Sequence, residues 1–202
     1  MRIVSKRDVV SGLVTGLTTG LIAYGILTYL KASLPLGISP SVLPWLLPIL
    51  WVLGVQFGYL LGTVLKPFVQ FGRFVAIGFA NAAVDFGVLY LLIAQTGQAV
   101  GVAYTVYKSI SFAVATVHSY LWNKYWAFEA GATQSNAREV SSFLGVSLVS
   151  LLVNVAIASV VNALHPASIA VQSWAGIAAV VGSAAAIVFS FVGFRVFVFK
   201  KK

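Results

Sequence analysis

The chain has 202 residues, of which 60% are hydrophobic and 8% are charged, and its mean hydropathy is +0.98. This composition excludes a water-soluble globular protein, which needs far more polar surface. A helix crosses the hydrocarbon core of a bilayer with about 20 apolar residues, and apolar segments account for most of this chain. The sequence therefore predicts an all-α polytopic protein of the plasma membrane with little room for a soluble domain.

The net charge of +9 does not indicate binding to nucleic acid, because the basic residues lie at the ends of apolar segments and form no continuous surface. The chain contains no cysteine, which excludes disulfides and thiolate metal sites. Residues 1–30 lack a small-residue cleavage site and are followed by further apolar segments. We therefore expect them to form an uncleaved first helix.

Apolar runs and the residues that interrupt them predict about six transmembrane helices. Their approximate ranges are 9–30, 42–65, 74–96, 103–123, 141–163 and 172–194. Eleven of the 13 Lys and Arg residues lie before the first span, after the last, or in the loops that follow the second and fourth. The other loops contain only Lys31, and Lys108 lies inside the fourth span. The positive-inside rule therefore predicts that both termini are cytoplasmic.

Glycines recur at four-residue spacing on the first two predicted helices. They are Gly12, Gly16 and Gly20 on the first helix and Gly54, Gly58 and Gly62 on the second. Such seams let helix backbones approach closely, so we expect these helices to pack on each other or to associate with another subunit. Residues 1–69 are predicted to form a transmembrane hairpin that precedes a four-helix domain at 70–202.

Aromatic residues cluster near the predicted interfaces. Trp45 lies near one side, and Trp122, Tyr125, Trp126 and Phe128 lie near the other. We expect these side chains to anchor the protein at the depth of the lipid headgroups, where aromatic residues are enriched. Stacking on a ligand is the alternative.

The last four predicted helices form two similar pairs. The aligned segments are 74–85 with 143–154 and 119–128 with 190–199. The alignment places Asp85 on Asn154 and Lys124 on Arg195. Because each copy contains two spans, both copies enter the membrane in the same direction, which predicts a parallel repeat about an axis near the membrane normal.

Two segments of the first copy, RFVAIGFANAAVDF (73–86) and KSISFAVATVHSYLWNKYWAF (108–128), resemble the GtrA-like membrane proteins, as does the weaker SFVGFRVFVF (190–199). The resemblance covers about residues 70–199 and implies four spans in two helix pairs. Members are associated with cell-surface polysaccharide synthesis, and are thought to flip polyprenyl-phosphate-linked monosaccharides or to serve as membrane partners of glycosyltransferases. The chain departs from the family pattern at Gly193-Phe194, where Asn usually precedes the basic residue, and in its additional N-terminal hairpin.

Asp85 is predicted near the middle of its span, where a carboxylate costs about 2.5–3.5 kcal/mol on insertion scales. It therefore needs a partner, and we expect an ion pair with Lys108 of the next helix. In one hypothesis Lys108 receives the phosphate of a lipid-linked sugar, while Asn81 and Asn154 form hydrogen bonds with sugar or phosphate oxygens. In the other, the ion pair only holds two helices together.

Four more residues complete the candidate binding set. His118 shares a helix face with Lys108, although a lone histidine in a membrane is more often a donor between helices than a proton relay. Asn123 precedes Lys124, and Lys124 and Arg195 end corresponding helices, where they would bind lipid phosphates or extend to the interface as anchors. No second histidine or carboxylate lies at ligand spacing from His118, so no metal site is predicted.

The chain has no nucleotide-binding motif and no paired carboxylates, so neither an enzyme nor a bound cofactor is predicted. The favoured function is translocation of a polyprenyl-phosphate-linked monosaccharide for surface glycan synthesis. One alternative is a non-transporting scaffold that anchors a glycosyltransferase partner, and another is a small-molecule exporter that uses Asp85. Because a few small helices enclose little volume, we expect either a homo-oligomer or a groove open to membrane lipids.

Overall fold

The computed structural model describes residues 5–132, 136–169 and 171–199, apart from the side chains of residues 171–173, 175 and 176. Within these ranges the chain forms six α-helices and no strand, which confirms the predicted all-α class. The helices are α1 (Lys6–Tyr29), α2 (Leu43–Leu61), α3 (Pro67–Thr96), α4 (Gly101–Trp122), α5 (Ala137–Ala163) and α6 (Val171–Gly193).

Five stretches of the described residues are long and apolar enough to cross a bilayer. They are α1, α2 with the turn before it, α3, α5 and the stretch Ile177–Val198. The remaining helix, α4, has 22 residues, or about 33 Å of helix, but Lys108, His118 and several hydroxyl side chains make it less apolar. The chain is thus an integral membrane protein, and its fourth helix has the predicted position and length but not the apolar character of the others.

Helix α3 begins seven residues earlier than its apolar run predicts. Pro67 occupies the first turn, where its missing N–H costs nothing because no intrahelical partner exists for it. Gln70 and Arg73 then follow within the helix, and such polar residues lower the hydropathy of that segment. The helix ends at Gly97, whose φ of +70° is a left-handed conformation that glycine adopts without strain.

The second helix of each predicted pair ends in a π-helical turn. These turns are Asn123–Ala127 after α4 and Phe194–Val198 after α6. In the first, the amide of Phe128 donates to the carbonyl of Asn123 at 2.9 Å, and in the second the amide of Phe199 donates to the carbonyl of Phe194 at 2.8 Å. The two turns occupy aligned positions, so the two copies of the predicted repeat share a π-helical turn, which is an uncommon backbone conformation.

The chain divides into two compact units, Met1–Glu129 and Ala130–Lys202. In the first unit α3 contacts α1, α2 and α4, and its Ile77 and Ala80 are completely buried. In the second unit α5 packs along α6. The division at residue 69 into a hairpin and a four-helix domain stays a prediction from the sequence.

The glycines of α1 face α2. A Cβ atom on Gly16 would lie 2.5 Å from the Cα of Pro48, and one on Gly20 would lie 2.5 Å from the carbonyl oxygen of Leu43. The predicted close packing of the two helices is therefore confirmed.

The glycines of α2 make a different contact. A Cβ on Gly58 would lie 2.9 Å from the carbonyl oxygen of Phe68, and one on Gly62 would lie 2.5 Å from Cγ2 of Val69. Two glycines of this second seam thus bring α2 close to α3. Helix α2 thus packs against both α1 and α3 and uses these two glycines for the second neighbour.

The predicted aromatic anchors divide into two groups. Trp45 and Tyr125 are exposed and can reach lipid headgroups. Trp126 and Phe128 are only 2% and 1% exposed, so the anchor interpretation is wrong for them. They lie in and directly after the π-helical turn, where Nε1 of Trp126 donates to the buried Asp8 and the ring of Phe128 packs on that of Phe74. The fifth predicted anchor, Trp122, is half-buried.

The predicted orientation can be tested with single cysteines, because the chain has none of its own. We expect a membrane-impermeant maleimide to label Ser33→Cys and Gln98→Cys in intact cells, since both loops are predicted to be external. Ala132→Cys should be labelled only after the cells are opened. Labelling of Ala132→Cys but not of Ser33→Cys in intact cells would show the opposite orientation.

Candidate functional site

The side chains of Asp85 and Lys108 form the ion pair expected from the sequence. Nζ of Lys108 lies 2.5 Å from Oδ2 of Asp85, and the hydroxyl of Ser111 donates to Oδ1 of Asp85 at 2.7 Å. The Lys108 side chain is 39% exposed and that of Asp85 is 20% exposed, whereas Ser111 is fully buried. Both carboxylate oxygens therefore have donors, and the Lys108 side chain is partly exposed on the surface of the first unit.

The geometry of the α3–α4 hairpin explains this contact. Asp85 lies 11 residues before the end of α3, or about 17 Å, and Lys108 lies seven residues after the start of α4, or about 11 Å. The long lysine side chain spans the remaining difference in height. Its ammonium group also lies 5.7 Å from the ring centroid of Phe86, a distance that allows a cation–π interaction.

A second polar contact between α3 and α4 involves Asn81, which lies one turn of α3 before Asp85. Nδ1 of His118 is 3.4 Å from Oδ1 of Asn81, and the His118 ring centroid is 6.2 Å from that of Trp122. Asn81 precedes Asp85 by four residues, so both side chains lie on the same face of α3. The structure thus brings Asn81, Asp85, Lys108 and His118 together along the α3–α4 contact.

The other predicted site residues have different surroundings. Asn123 donates from Nδ2 to the carbonyl of Ser119 at 2.8 Å, while its buried Oδ1 accepts no hydrogen bond from the described residues. In the second unit, Nδ2 of Asn154 lies 3.5 Å from the hydroxyl of Ser183, and Arg195 is exposed in the π-helical turn.

Lys124 does not extend to the interface. Its side chain is fully buried, with Nζ 5.8 Å from the ring centroid of Tyr120. The anchor interpretation is therefore wrong for Lys124, whose side chain is enclosed by the first unit. The corresponding Arg195 remains exposed, so the two ends of the repeat differ in the accessibility of their cations.

A buried charged cluster that sequence reasoning missed surrounds Arg73. Its Nε lies 2.7 Å from Oδ1 of Asp8, and its Nη2 donates to Oδ2 of Asp8 at 3.0 Å. Its Nη1 donates to Oε1 of Glu129 at 2.6 Å and to the carbonyl of Trp126 at 3.3 Å. One guanidinium group therefore links α1, α3 and the segment after α4.

Asp8 accepts three further hydrogen bonds. The donors are the hydroxyl of Tyr59 at 2.6 Å, the hydroxyl of Ser5 at 2.7 Å and Nε1 of Trp126 at 2.9 Å. Asp8 is 0% exposed, so this carboxylate depends on protein donors alone. The sequence contains one signal for it: Asp8 is one of only four acidic residues and lies near the start of a strongly apolar helix.

Residues 73–199 match the GtrA/DPMS transmembrane domain family. The chain belongs to this family. The *Bacillus subtilis* (strain 168) protein YngA, described as an uncharacterized membrane protein, is 32% identical over 77 residues, which are 38% of this chain and 48% of YngA. The matching segment therefore spans about half of the length of that relative. No solved structure matches the chain.

The GtrA/DPMS region begins at Arg73 and contains every candidate site residue predicted from the sequence. Asp8, Ser5 and Tyr59 lie outside it, on the first two helices and the residue that caps α1. The N-terminal helices therefore supply the carboxylate of Asp8 and the hydroxyl of Tyr59 to the first arginine of the GtrA/DPMS region, and the hydroxyl of Ser5 donates to that carboxylate.

Removing one partner of this buried pair should destabilise the protein strongly. For Asp8→Asn we expect the free energy of unfolding to fall by about 3–5 kcal/mol, because the buried Arg73 would lose its fully buried anion. For Glu129→Gln, whose side chain is 40% exposed, we expect a loss of about 1 kcal/mol or less. Unfolding of purified variants in detergent measures both, and an equal or larger loss for Glu129→Gln would contradict this assignment.

Proposed function

We propose that this protein translocates a polyprenyl-phosphate-linked monosaccharide across the membrane. Membership of the GtrA/DPMS family supports a role in lipid-linked sugar translocation in general. The observation that carries the specific proposal is the Asp85–Lys108 ion pair, which lies within the α3–α4 pair and remains partly exposed. Charged residues inside a membrane protein by default indicate a path for a polar substrate.

The ion pair allows the Lys108 ammonium group to have an anionic partner both before and after it binds phosphate. Between transport events Asp85 accepts the ammonium hydrogen bond at 2.5 Å. An incoming phosphate would replace this carboxylate, and the hydroxyl of Ser111, 2.7 Å from Asp85, would keep one donor on the released carboxylate. Exchange of one anion for another keeps the cation neutralised, and the cost of leaving the Asp85 carboxylate with only the Ser111 hydroxyl favours return to the ion pair once the phosphate leaves.

Asn81 and His118 would contact the sugar. Their side chains meet at 3.4 Å, a longer distance than that of most hydrogen bonds, so sugar hydroxyls can replace the contact at small cost. Asn81 lies one turn of α3, or about 6 Å, from Asp85, a separation that suits a sugar directly joined to its phosphate. His118 lies ten residues beyond Lys108, or about 15 Å along α4, so it would contact the part of the sugar farthest from the phosphate.

The polyprenyl tail has no need to pass through the protein. Two apolar grooves open on the first unit, one of about 320 Å³ between α2 and α3 and one of about 450 Å³ between α1 and α3. Their lining residues carry no charge, so lipid chains can lie against these surfaces while the polar head group moves. The proposal involves no covalent step by the protein itself.

The test is translocation of a fluorescent, short-chain polyprenyl-phosphate sugar in proteoliposomes. We expect Asp85→Asn and Lys108→Ala to reduce the initial rate at least about ten-fold, because each removes one member of the exchange. The matched control is the apolar double variant Asp85→Leu/Lys108→Met, which leaves no unpaired charge and should keep the fold. It too should lose transport.

Transport at the wild-type rate by the folded double variant would show that the ion pair only joins two helices. Failure of the wild-type protein to transport any of several sugars would overturn the proposed function. In that case a non-transporting scaffold for a glycosyltransferase becomes the function to test, by isolating the protein together with such an enzyme.

A further inference from the structure

A small groove lies at the end of the first unit where α1 begins and α4 ends. Its volume is about 260 Å³, and it is lined by Arg7, Ser11, Leu121, Trp122, Tyr125 and Trp126. None of these residues is acidic. The groove is distinct from the Asp85–Lys108 pair, because Trp122 follows Lys108 by 14 residues, or about 21 Å along α4.

Arg7 brings a positive charge to this groove. Its side chain is exposed, and its Nη2 donates to the carbonyl of Tyr125, which fixes the guanidinium group beside the end of α4. The ion pairs formed by the described residues do not include Arg7. A guanidinium group has five N–H donors, so several remain for a ligand.

The neighbouring carboxylate cannot neutralise Arg7. Both oxygens of Asp8 already accept hydrogen bonds or ion-pair contacts from other donors, and Asp8 is completely buried. Asp8 therefore serves the buried cluster, and the adjacent Arg7 serves the groove. An exposed arginine near the lipid headgroups, held in place and without a carboxylate partner among the residues that the structure describes, is suited to bind a phosphate in paired hydrogen bonds.

The opposite wall of the groove is aromatic and rigid. The ring centroids of Trp122 and Trp126 are 5.6 Å apart, and Nε1 of Trp126 donates to buried Asp8. A few polar groups facing fixed aromatic rings are typical of small-ligand sites. Trp122 also contacts His118, which contacts Asn81, so the aromatic wall leads toward the ion pair.

We propose that this groove binds the phosphate–sugar head group of the lipid before it reaches the Asp85–Lys108 pair. Arg7 receives the phosphate, and Trp122 contacts the sugar ring. This inference rests on the proposed function and adds a separate binding site to it. Because Arg7 and Ser11 lie outside residues 73–199, the N-terminal helix supplies a substrate contact that the GtrA/DPMS region lacks by itself.

The test is equilibrium binding of two probes, farnesyl phosphate and farnesyl-phosphate-linked glucose, to the full-length protein in nanodiscs, with farnesol as the apolar reference. We expect Arg7→Gln to raise the Kd for both phosphate probes about ten-fold, because a charge-assisted hydrogen bond is lost. The matched control Lys6→Gln removes the adjacent exposed cation and should change the Kd less than about two-fold. Trp122→Leu should weaken binding of the glucose probe more than that of farnesyl phosphate.

Two further variants separate a binding role from a structural one. Arg7→Lys keeps the charge without the paired geometry and should give a Kd between those of wild type and Arg7→Gln. Lys108 is itself proposed to bind phosphate, so Lys108→Ala should remove only the part of probe binding that does not depend on Arg7, and its effect should add to that of Arg7→Gln in the double variant. Thermal unfolding of each variant shows whether the loss of the contact with Tyr125 has altered the fold.

Equal Kd values for Arg7→Gln and Lys6→Gln would overturn the inference. So would binding of farnesol as tight as that of farnesyl phosphate, or displacement of the glucose probe by phosphatidylglycerol at equal concentration. Arg7-dependent binding by a protein that transports no sugar would support the groove and overturn the proposed function. If Arg7→Gln changes neither the transport rate nor the Kd of the phosphate probes, the groove is not a binding site, while the proposed function stands.

Discussion

The buried carboxylate of Asp8 is the point at which the four helices of the first unit are joined. Its partners come from α2, from α3 and from the π-helical turn after α4: Tyr59, Arg73 and Trp126. Because no water reaches this carboxylate, each donor depends on the others being in place. The cluster therefore sets the relative heights of the helices at this end of the bundle. The positions of Asp85 and Lys108 farther along α3 and α4 depend on that register.

The two ion pairs of the first unit differ in the property that decides whether a ligand can reach them. The Asp8 side chain is 0% exposed, and that of its partner Arg73 is 8% exposed. The corresponding values are 20% for Asp85 and 39% for Lys108. A closed and buried pair stabilises one arrangement of helices, whereas a partly open pair can exchange one anion for another. This contrast is the physical basis for assigning a structural role to Arg73 and a transport role to Lys108.

The N-terminal helices are integrated with the region that defines the family. Glycines on α1 and α2 allow close contacts with α2 and α3, respectively, and Asp8 completes the hydrogen bonds of Arg73 at the first matched position. The same turn of α1 directs Asp8 inward and leaves Arg7 exposed beside Tyr125. Adjacent residues of opposite charge thus have separate roles, one in stability and one in the proposed binding of the head group.

The sequence by itself determined the membrane class, the positions of the helices, the repeat and the Asp85–Lys108 pair. Hydropathy and residue spacing are local signals, and an isolated pair of charges inside apolar helices leaves few alternative partners. Only the tertiary structure decided that Asp8 binds Arg73, 65 residues away, and that Lys124, Trp126 and Phe128 are buried. A charged or aromatic residue at a helix end can face the interface or the interior with the same local sequence. The two aligned π-helical turns show this, since Lys124 is buried and Arg195 is exposed, and the choice depends on contacts with distant helices, which hydropathy does not record.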